Sequence, residues 1–397
     1  MDSNPALCAA ITSRIATSPQ RRITFAEYMD MALYHPEHGY YSSNAVKIGF
    51  KGGDFFTSSH LGADFGELLA AQFVQMWEIL GQPVPFSLIE MGAGQGLLAL
   101  HILEYLKLHY PDFLAALEYL IVEKSPALRQ EQQQRLHDYP VRWCNLEEIP
   151  THAITGCFFS NELVDALPVH QFILEEGKLR EIYVTTPEVK EVFSSPAFVP
   201  SFVEVTGEPS TLQLTQYFDL VGIDLSPGIY ADGYRSEINL AAVDWLSIVA
   251  DRLQRGYVVT IDYGYPASRY YNPRRSQGTL QCYYQHRYHN NPYINIGQQD
   301  ITAHVDFTAL ERSGEGYGLE KVGFTQQGLF LMALGLGERI GNISHQKLPI
   351  SQLLRRRESL HQLLDPMRLG GFGVLVQSKG LDEKENSQLL KGLTVPE

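Results

Sequence analysis

The stretch that most restricts the fold is residues 86–96, FSLIEMGAGQG. A mainly apolar run follows Pro83 and Pro85 and ends in three glycines at alternate positions, Gly92, Gly94 and Gly96. Residues 97–110 then carry apolar side chains at helical spacing, with Leu98, Ile102, Tyr105, Leu106 and His109 on one face. This pattern predicts a buried strand that turns sharply into a helix. A side chain at any of the three glycines would hinder both the tight turn and a close approach of backbone to ligand. A nucleotide-like group is the natural guest.

After Pro111 a second strand is predicted over 117–122. It ends in Glu123, an acceptor suited to the paired hydroxyls of a ribose. Two features disfavour a dinucleotide. The third glycine follows the second by two positions where Gly-x-Gly-x-x-Gly requires three, and Glu123 lies 31 positions after Gly92 where about 20 is usual. With Glu90 two residues before Gly92, the spacing resembles the S-adenosylmethionine loop of class I methyltransferases, whose ligand has an amino-acid end and no pyrophosphate.

A chain of 397 residues can bury a large core, and 44% hydrophobic with 19% charged residues describes an ordinary globule. The net charge of −14 argues against nucleic acid, which needs a positive field, and is compatible with a basic substrate such as an arginine-bearing protein. The four cysteines, Cys8, Cys144, Cys157 and Cys282, show no zinc-ligand spacing, so no metal and free buried thiols in a reducing compartment are expected. No apolar run reaches 18 residues and the first residues carry no apolar signal core, which together predict a cytoplasmic protein without membrane insertion.

Along the chain, Thr24 and Glu27 form a capping-box pattern for a helix bearing Phe25, Met29 and Leu33. A long helix is predicted from about 62 to 80. Ser125 and Pro126 start a polar helix reaching about 139. A third strand, 141–144, ends at Asn145, where the adenine of the class I cofactor would lie. A fourth, 156–160, leads into Asn161, Glu162 and Asp165. Alternation over 172–205 predicts an inserted β-rich segment. Ser236 is placed as the cap of a helix to Arg252, and 257–262 is a fifth strand. Residues 265–299 contain four arginines and many tyrosines but no Asp or Glu. A helix over 306–313, a strand at 319–323, a helix over 327–336, a basic helix around 355–357 and a strand at 372–377 complete the alternation. Seven strands with crossover helices indicate an α/β, doubly wound, Rossmann-like sheet. The segments divide as an N-terminal helical portion covering the cofactor site (1–80), a cofactor half (81–175), the β-rich insert (176–235), continuing core (236–264), the tyrosine- and arginine-rich insert (265–305), C-terminal core (306–380) and a flexible tail (381–397).

Ligands of such sheets bind outside the carboxyl ends of the strands. Glu90, Gly92, Glu123, Asn145, Asn161 and Asp262 all fall at predicted strand ends. The two carboxylates Glu162 and Asp165, one helical turn apart, could grip a guanidinium; they equally suit a capped turn before Pro168. His170 and His304 are candidate bases for an oxygen nucleophile, although a lone histidine more often serves structure.

Seven segments together resemble one family: 23–41, 53–58, the glycine loop with Glu90, 160–170, 261–264, 278–280 and 300–307. They are similar, in order and over nearly the whole chain, to the MidA-like methyltransferases, which include the mitochondrial complex I assembly methyltransferase. The resemblance implies a class I fold, S-adenosylmethionine as cofactor and, as in the mitochondrial members, arginine methylation of a respiratory-complex subunit. It assigns Gly92, Gly94 and Gly96 to the cofactor loop, Glu123 to the ribose, Gly53 and Asp54 to closure over the cofactor, and Asn161, Glu162 and Asp165 to the substrate side. Leu163 and Val164 stand where the family often has an aromatic residue. The function expected is a protein arginine N-methyltransferase whose partner is an NADH-dehydrogenase-type subunit. Alternatives are a small-molecule or RNA methyltransferase and a cofactor-binding assembly chaperone. The oligomeric state is open, a homodimer included.

Overall fold

The computed structural model describes residues 3–43, 58–187, 201–343 and 349–395, apart from 227 and 286. The chain forms two compact units. Unit 1 takes residues 1–55, 165–244 and 265–310, and unit 2 takes 56–164, 245–264 and 311–397.

Unit 2 is built on a seven-stranded sheet. Its strands are β1 (Phe86–Met91), β2 (Leu117–Val122), β3 (Val141–Cys144), β4 (Ile154–Asn161), β5 (Leu253–Asp262), β6 (Glu320–Gln326) and β7 (Gly373–Lys379). The spatial order is β3-β2-β1-β4-β5-β7-β6. β1 to β5 pair in parallel, and β7 lies antiparallel to both its neighbours. Every residue of β1 is buried, as a central parallel strand covered on both faces requires. The doubly wound expectation is met, and all seven predicted strands are present.

Helix α1 (Asp64–Ile79) lies beside α2 (Leu97–His109). Gly66 permits this approach, since a Cβ there would fall 2.7 Å from the Cβ of His101. Phe73 of α1 meets Phe159 of β4 with ring centroids 4.9 Å apart in the main core. Helix α3 (Pro126–Arg135), capped by Ser125, stops short of the predicted 139. The helix predicted over 327–336 is broken in two, Gln327–Ala333 and Leu336–Asn342, because Gly335 takes a left-handed conformation between them. Residues 381–395, read from sequence as tail, carry an Asp382-capped helical turn, Glu383–Asn386, and bury Leu390.

In unit 1, helices Pro5–Thr17 and Phe25–Tyr34 are capped by the side chains of Asn4 and Thr24. They share a core, including Leu7, Ile11, Tyr28 and Met29, with Val184 and Ile301. The described part of the β-rich segment forms strands His170–Glu175, Lys178–Thr185 and Val203–Gly207, joined antiparallel with Arg235–Ile238 and Ile23–Thr24. Ser236 therefore lies in a strand rather than at a helix cap. Asn239 caps instead, its Oδ1 accepting from the Ala242 amide at 2.8 Å, and the helix runs Leu240–Arg252. A three-stranded sheet, Gln281–Tyr284, Arg287–His289 and Asp300–Thr302, orders much of the tyrosine-rich insert.

Candidate active site

The strand order of unit 2 reverses between β1 and β4, so the crevice expected to take a ligand opens at their carboxyl ends. After β1 the three glycines adopt left-handed φ values of +71°, +52° and +75°. The Gly92 amide donates to the Val122 carbonyl of β2 at 3.0 Å, and Gly96 leads directly into α2. A Cβ on Gly92 would lie 2.7 Å from Leu163 Cδ1, and one on Gly96 would lie 3.3 Å from Gln132 Cγ. The crowding that demands glycine at these two positions therefore comes from the protein itself.

Glu123, at the end of β2, is buried with both carboxylate oxygens anchored. Oε1 accepts from the Ser125 amide at 2.9 Å and Oε2 from Gln132 Nε2 at 3.1 Å. Burial raises its pKa, opposed by those two donors and Arg129. Each oxygen keeps further acceptor capacity. The same Gln132 Nε2 donates to the Gly94 carbonyl at 2.7 Å, and Trp143 Nε1 of β3 donates to Gln132 Oε1 at 2.9 Å. One buried carboxamide thus ties together the glycine loop, the acid and β3. Glu90 is also buried and receives the Tyr119 hydroxyl at 2.6 Å; burial lifts its pKa to about 7 against that hydrogen bond. Its only hydrogen-bond donor among the described residues is this tyrosine.

At the end of β4, Glu162 takes φ +54°, a conformation costly for a residue with a Cβ. Its amide donates to the Ile261 carbonyl at 2.9 Å. Its Oε1 accepts from Asn161 Nδ2 at 3.1 Å and from the Ser58 amide at 3.3 Å. Asn161 Oδ1 is buried with no partner among the described residues. Asp262, fully buried at the end of β5, holds this turn from behind: Oδ2 accepts from the Val164 amide at 2.9 Å and Oδ1 from the Tyr263 amide at 2.8 Å. The turn Ser58–Leu61 joins both strand ends, because Ser58 reaches Glu162 while His60 Nε2 lies 3.1 Å from Gln95 Oε1 in the glycine loop. Burial lowers the pKa of His60, outweighing the Gln95 hydrogen bond, and favours the neutral ring.

Unit 2 thus gathers Glu90, Gly92, Gly94, Gly96, Glu123, Asn161 and Glu162. Asn145 is at the end of β3 but exposed, its carboxamide spent on Glu148 Oε1 at 2.9 Å in a capping box. Gly53 and Asp54 lie outside the described residues. Asp165 belongs to unit 1, where it is buried and its carbonyl accepts from the Ala303 amide at 2.9 Å. His170 and His304 are in unit 1 as well. His170 Nδ1 sits 2.8 Å from the buried Glu181. Burial opposes the Glu181 carboxylate, yet His170 and the Ser210 amide hold it below its usual range, the mark of a structural pair. His304 is buried and pushed down to about 4, first by burial and then by Arg275. The sequence reading missed His60 and Gln132 altogether and had Ser58 and Asp262 only as members of the segments 53–58 and 261–264.

The sequence from 68 to 325 matches the model of a family described as S-adenosyl-L-methionine-dependent methyltransferases. The chain belongs to the MidA-like family of these enzymes. It is 30% identical to the protein arginine methyltransferase NDUFAF7 homolog, mitochondrial, of Drosophila melanogaster, over 90% of this chain and 80% of that protein. It is 26% identical to the human protein arginine methyltransferase NDUFAF7, mitochondrial, over 88% and 78%. A crystal structure of a protein from Burkholderia thailandensis bound to S-adenosyl-homocysteine superposes with a TM-score of 0.82 at 30% identity, covering 98% of this chain and 94% of that one. The fold is that of class I methyltransferases and the cofactor is S-adenosylmethionine. The donor set of unit 2 fits this group: a left-handed glycine loop, a buried acid with free acceptor capacity, and an Asn161 oxygen without a partner among the described residues. No helix of the described residues is long and apolar enough to cross a membrane, and no group of His, Cys, Asp or Glu among them could hold a metal.

Proposed function

We propose that this methyltransferase is a protein arginine N-methyltransferase acting on a subunit of a respiratory-type complex during its assembly. The names of its relatives in fly and human support arginine as acceptor. The observation that carries the reading is Glu162: a carboxylate is kept in a left-handed turn at the switch point, beside Asn161, where any other acid could sit at less cost elsewhere.

Bound S-adenosylmethionine supplies a methyl group on a sulfonium. The residues around it have positioning work to do, since displacement at that carbon requires mainly an aligned nucleophile. Gly92, Gly94 and Gly96 with Glu123 and its Gln132 brace form the cofactor side. Glu162 draws the guanidinium by charge and fixes its plane by hydrogen bonds, and the Asn161 oxygen accepts a second N–H. No base has to act before attack, because the guanidinium (pKa above about 12) keeps its charge until its nitrogen begins to bond. One proton leaves per transfer, and the Glu162 carboxylate is the acceptor in that turn. Gly53 and Asp54, just ahead of Ser58, would close over the cofactor, and Asn145 would border its adenine. Four cysteines, all unpaired, support a cytoplasmic setting, although the relatives are named mitochondrial.

The test is tritium transfer from labelled S-adenosylmethionine into an extract of a deletion strain, followed by hydrolysis and amino-acid analysis. Label in methylated arginine is the expected result. Glu162→Gln should lower transfer by about 100-fold while its calorimetric affinity for the cofactor stays within about twofold. Label confined to RNA or small molecules, or full transfer by the variant, would overturn the reading.

A further inference from the structure

In the arginine- and tyrosine-rich insert a pair of positive charges has no counterion among the described residues. Arg269 and Arg275 both lie over the ring of Tyr265, each with its guanidinium carbon 4.4 Å from the centroid. His304 is stacked on the same ring, centroids 5.0 Å apart and 19° between planes. Neither arginine makes an ion pair among the described residues. Arg275 uses one N–H on the Arg269 carbonyl at 3.3 Å; the other donors of both side chains have no partner among the described residues. Arg235, whose amide bonds to the Ser276 carbonyl next to Arg275, shows the ordinary arrangement: it meets Glu204 with two N–H···O bonds of 3.0 Å.

Two guanidiniums sharing one ring repel each other, and their attraction to the π face offsets only part of that. In a chain carrying 45 acidic residues against 31 basic ones, a nearby carboxylate would be the simple remedy. Among the described residues neither arginine has one at ion-pair distance, residues 265–299 themselves contain no Asp or Glu, and His304 is neutralised by burial and by these same two arginines. Arg269 is exposed, Arg275 is half-buried, and both are stacked on the ring, so their forks are pre-oriented for an incoming oxyanion.

We propose that the Arg269–Arg275 pair is a docking site for the carboxylate side chains of an acidic segment on a partner protein. The net charge of −14 opposes an extended polyanion such as nucleic acid, whereas one or two carboxylates on a protein need only this local charge. The site lies within unit 1 and stands whether or not arginine is the methyl acceptor.

The experiment is fluorescence anisotropy of a labelled hexaglutamate peptide with the full-length protein at low salt. Binding should be saturable and should weaken about fivefold or more in Arg269→Gln/Arg275→Gln, and less in Arg269→Lys/Arg275→Lys, which keeps charge but loses the planar fork. Arg355→Gln/Arg357→Gln, which removes two exposed arginines of the helix Ile350–Leu364, should leave binding unchanged. Calorimetric titration with S-adenosyl-homocysteine checks that every variant is folded. Equal losses in both Gln pairs, no saturable binding, or preferential capture of an oligothymidylate or of inorganic phosphate through Arg269 and Arg275 would each overturn the proposal.

Discussion

At the end of β1 the left-handed turn is made by Gly92, Gly94 and Gly96, while at the neighbouring end of β4 the same region of backbone space, φ +54°, is occupied by Glu162. The first turn is dictated by crowding from Leu163 and Gln132, and glycine meets it without strain. The second retains a side chain at a cost of roughly 1–2 kcal/mol, and the Ile261 carbonyl and the Asp262 carboxylate hold the turn in place. The difference separates two reasons for a left-handed backbone: at β1 the side chain must be absent, and at β4 it must be present.

The strongest way to break this contrast is to exchange the requirements. Gly92→Val puts a branched side chain at φ +71° against Leu163, and calorimetry should show no binding of S-adenosylmethionine. Adding Leu163→Ala makes room without relieving the backbone, so binding should return only in part. Complete recovery would mean that crowding alone demands the glycine. At β4 the converse applies. Glu162→Gly should raise the unfolding free energy by about 1 kcal/mol, as urea denaturation would show, while reducing methyl transfer by about 100-fold. A Glu162→Gly protein that is less stable than the parent would show that the carboxylate's bonds to Asn161 and Ser58 outweigh the strain.

A smaller effect separates Glu90, buried within β1, from Glu162 at the end of β4. Burial raises the folded-state pKa of Glu90 to about 7, above the ordinary carboxylate value. The folded state therefore binds the extra proton, and this stabilising contribution is complete below about pH 4.5 and lost as pH rises through about 7. Glu90→Gln keeps an acceptor for the Tyr119 hydroxyl without the charge. Its unfolding free energy should exceed the parent's at pH 8 by about 1–3 kcal/mol and match it near pH 5, as urea denaturation would show. Equal differences at both pH values would show that Glu90 does not titrate in this range.

What the sequence made legible was local. The β1 strand, the glycine turn and the acid at the end of β2 announce themselves because each is encoded within a few residues. Gln132 does not, because its partner Gly94 is 38 positions away and its own helix reads as polar surface. Asp262 reaches Val164 across 98 positions, which no periodicity reveals. Leu163, a departure from the family's aromatic pattern, is explained only when its methyl is seen against Gly92. Ser236 was misread because a four-residue strand and a helix N-terminus look alike until Asn239 is seen bonded to Ala242.

The place of β7 has a bearing on how the chain reaches this fold as it is made. Residues 117–262 complete the row β3-β2-β1-β4-β5 in company with β1, so five strands can pair while the ribosome is still translating the rest. β6 emerges next but pairs only with β7, residues 373–379, which slots between β5 and β6 as the last strand of the sheet. Until that late strand arrives, the exposed edge of β5 and the unpaired β6 are both open to wrong partners. Nascent chains arrested before residue 373 should for this reason depend on holding chaperones more than chains released just after 379.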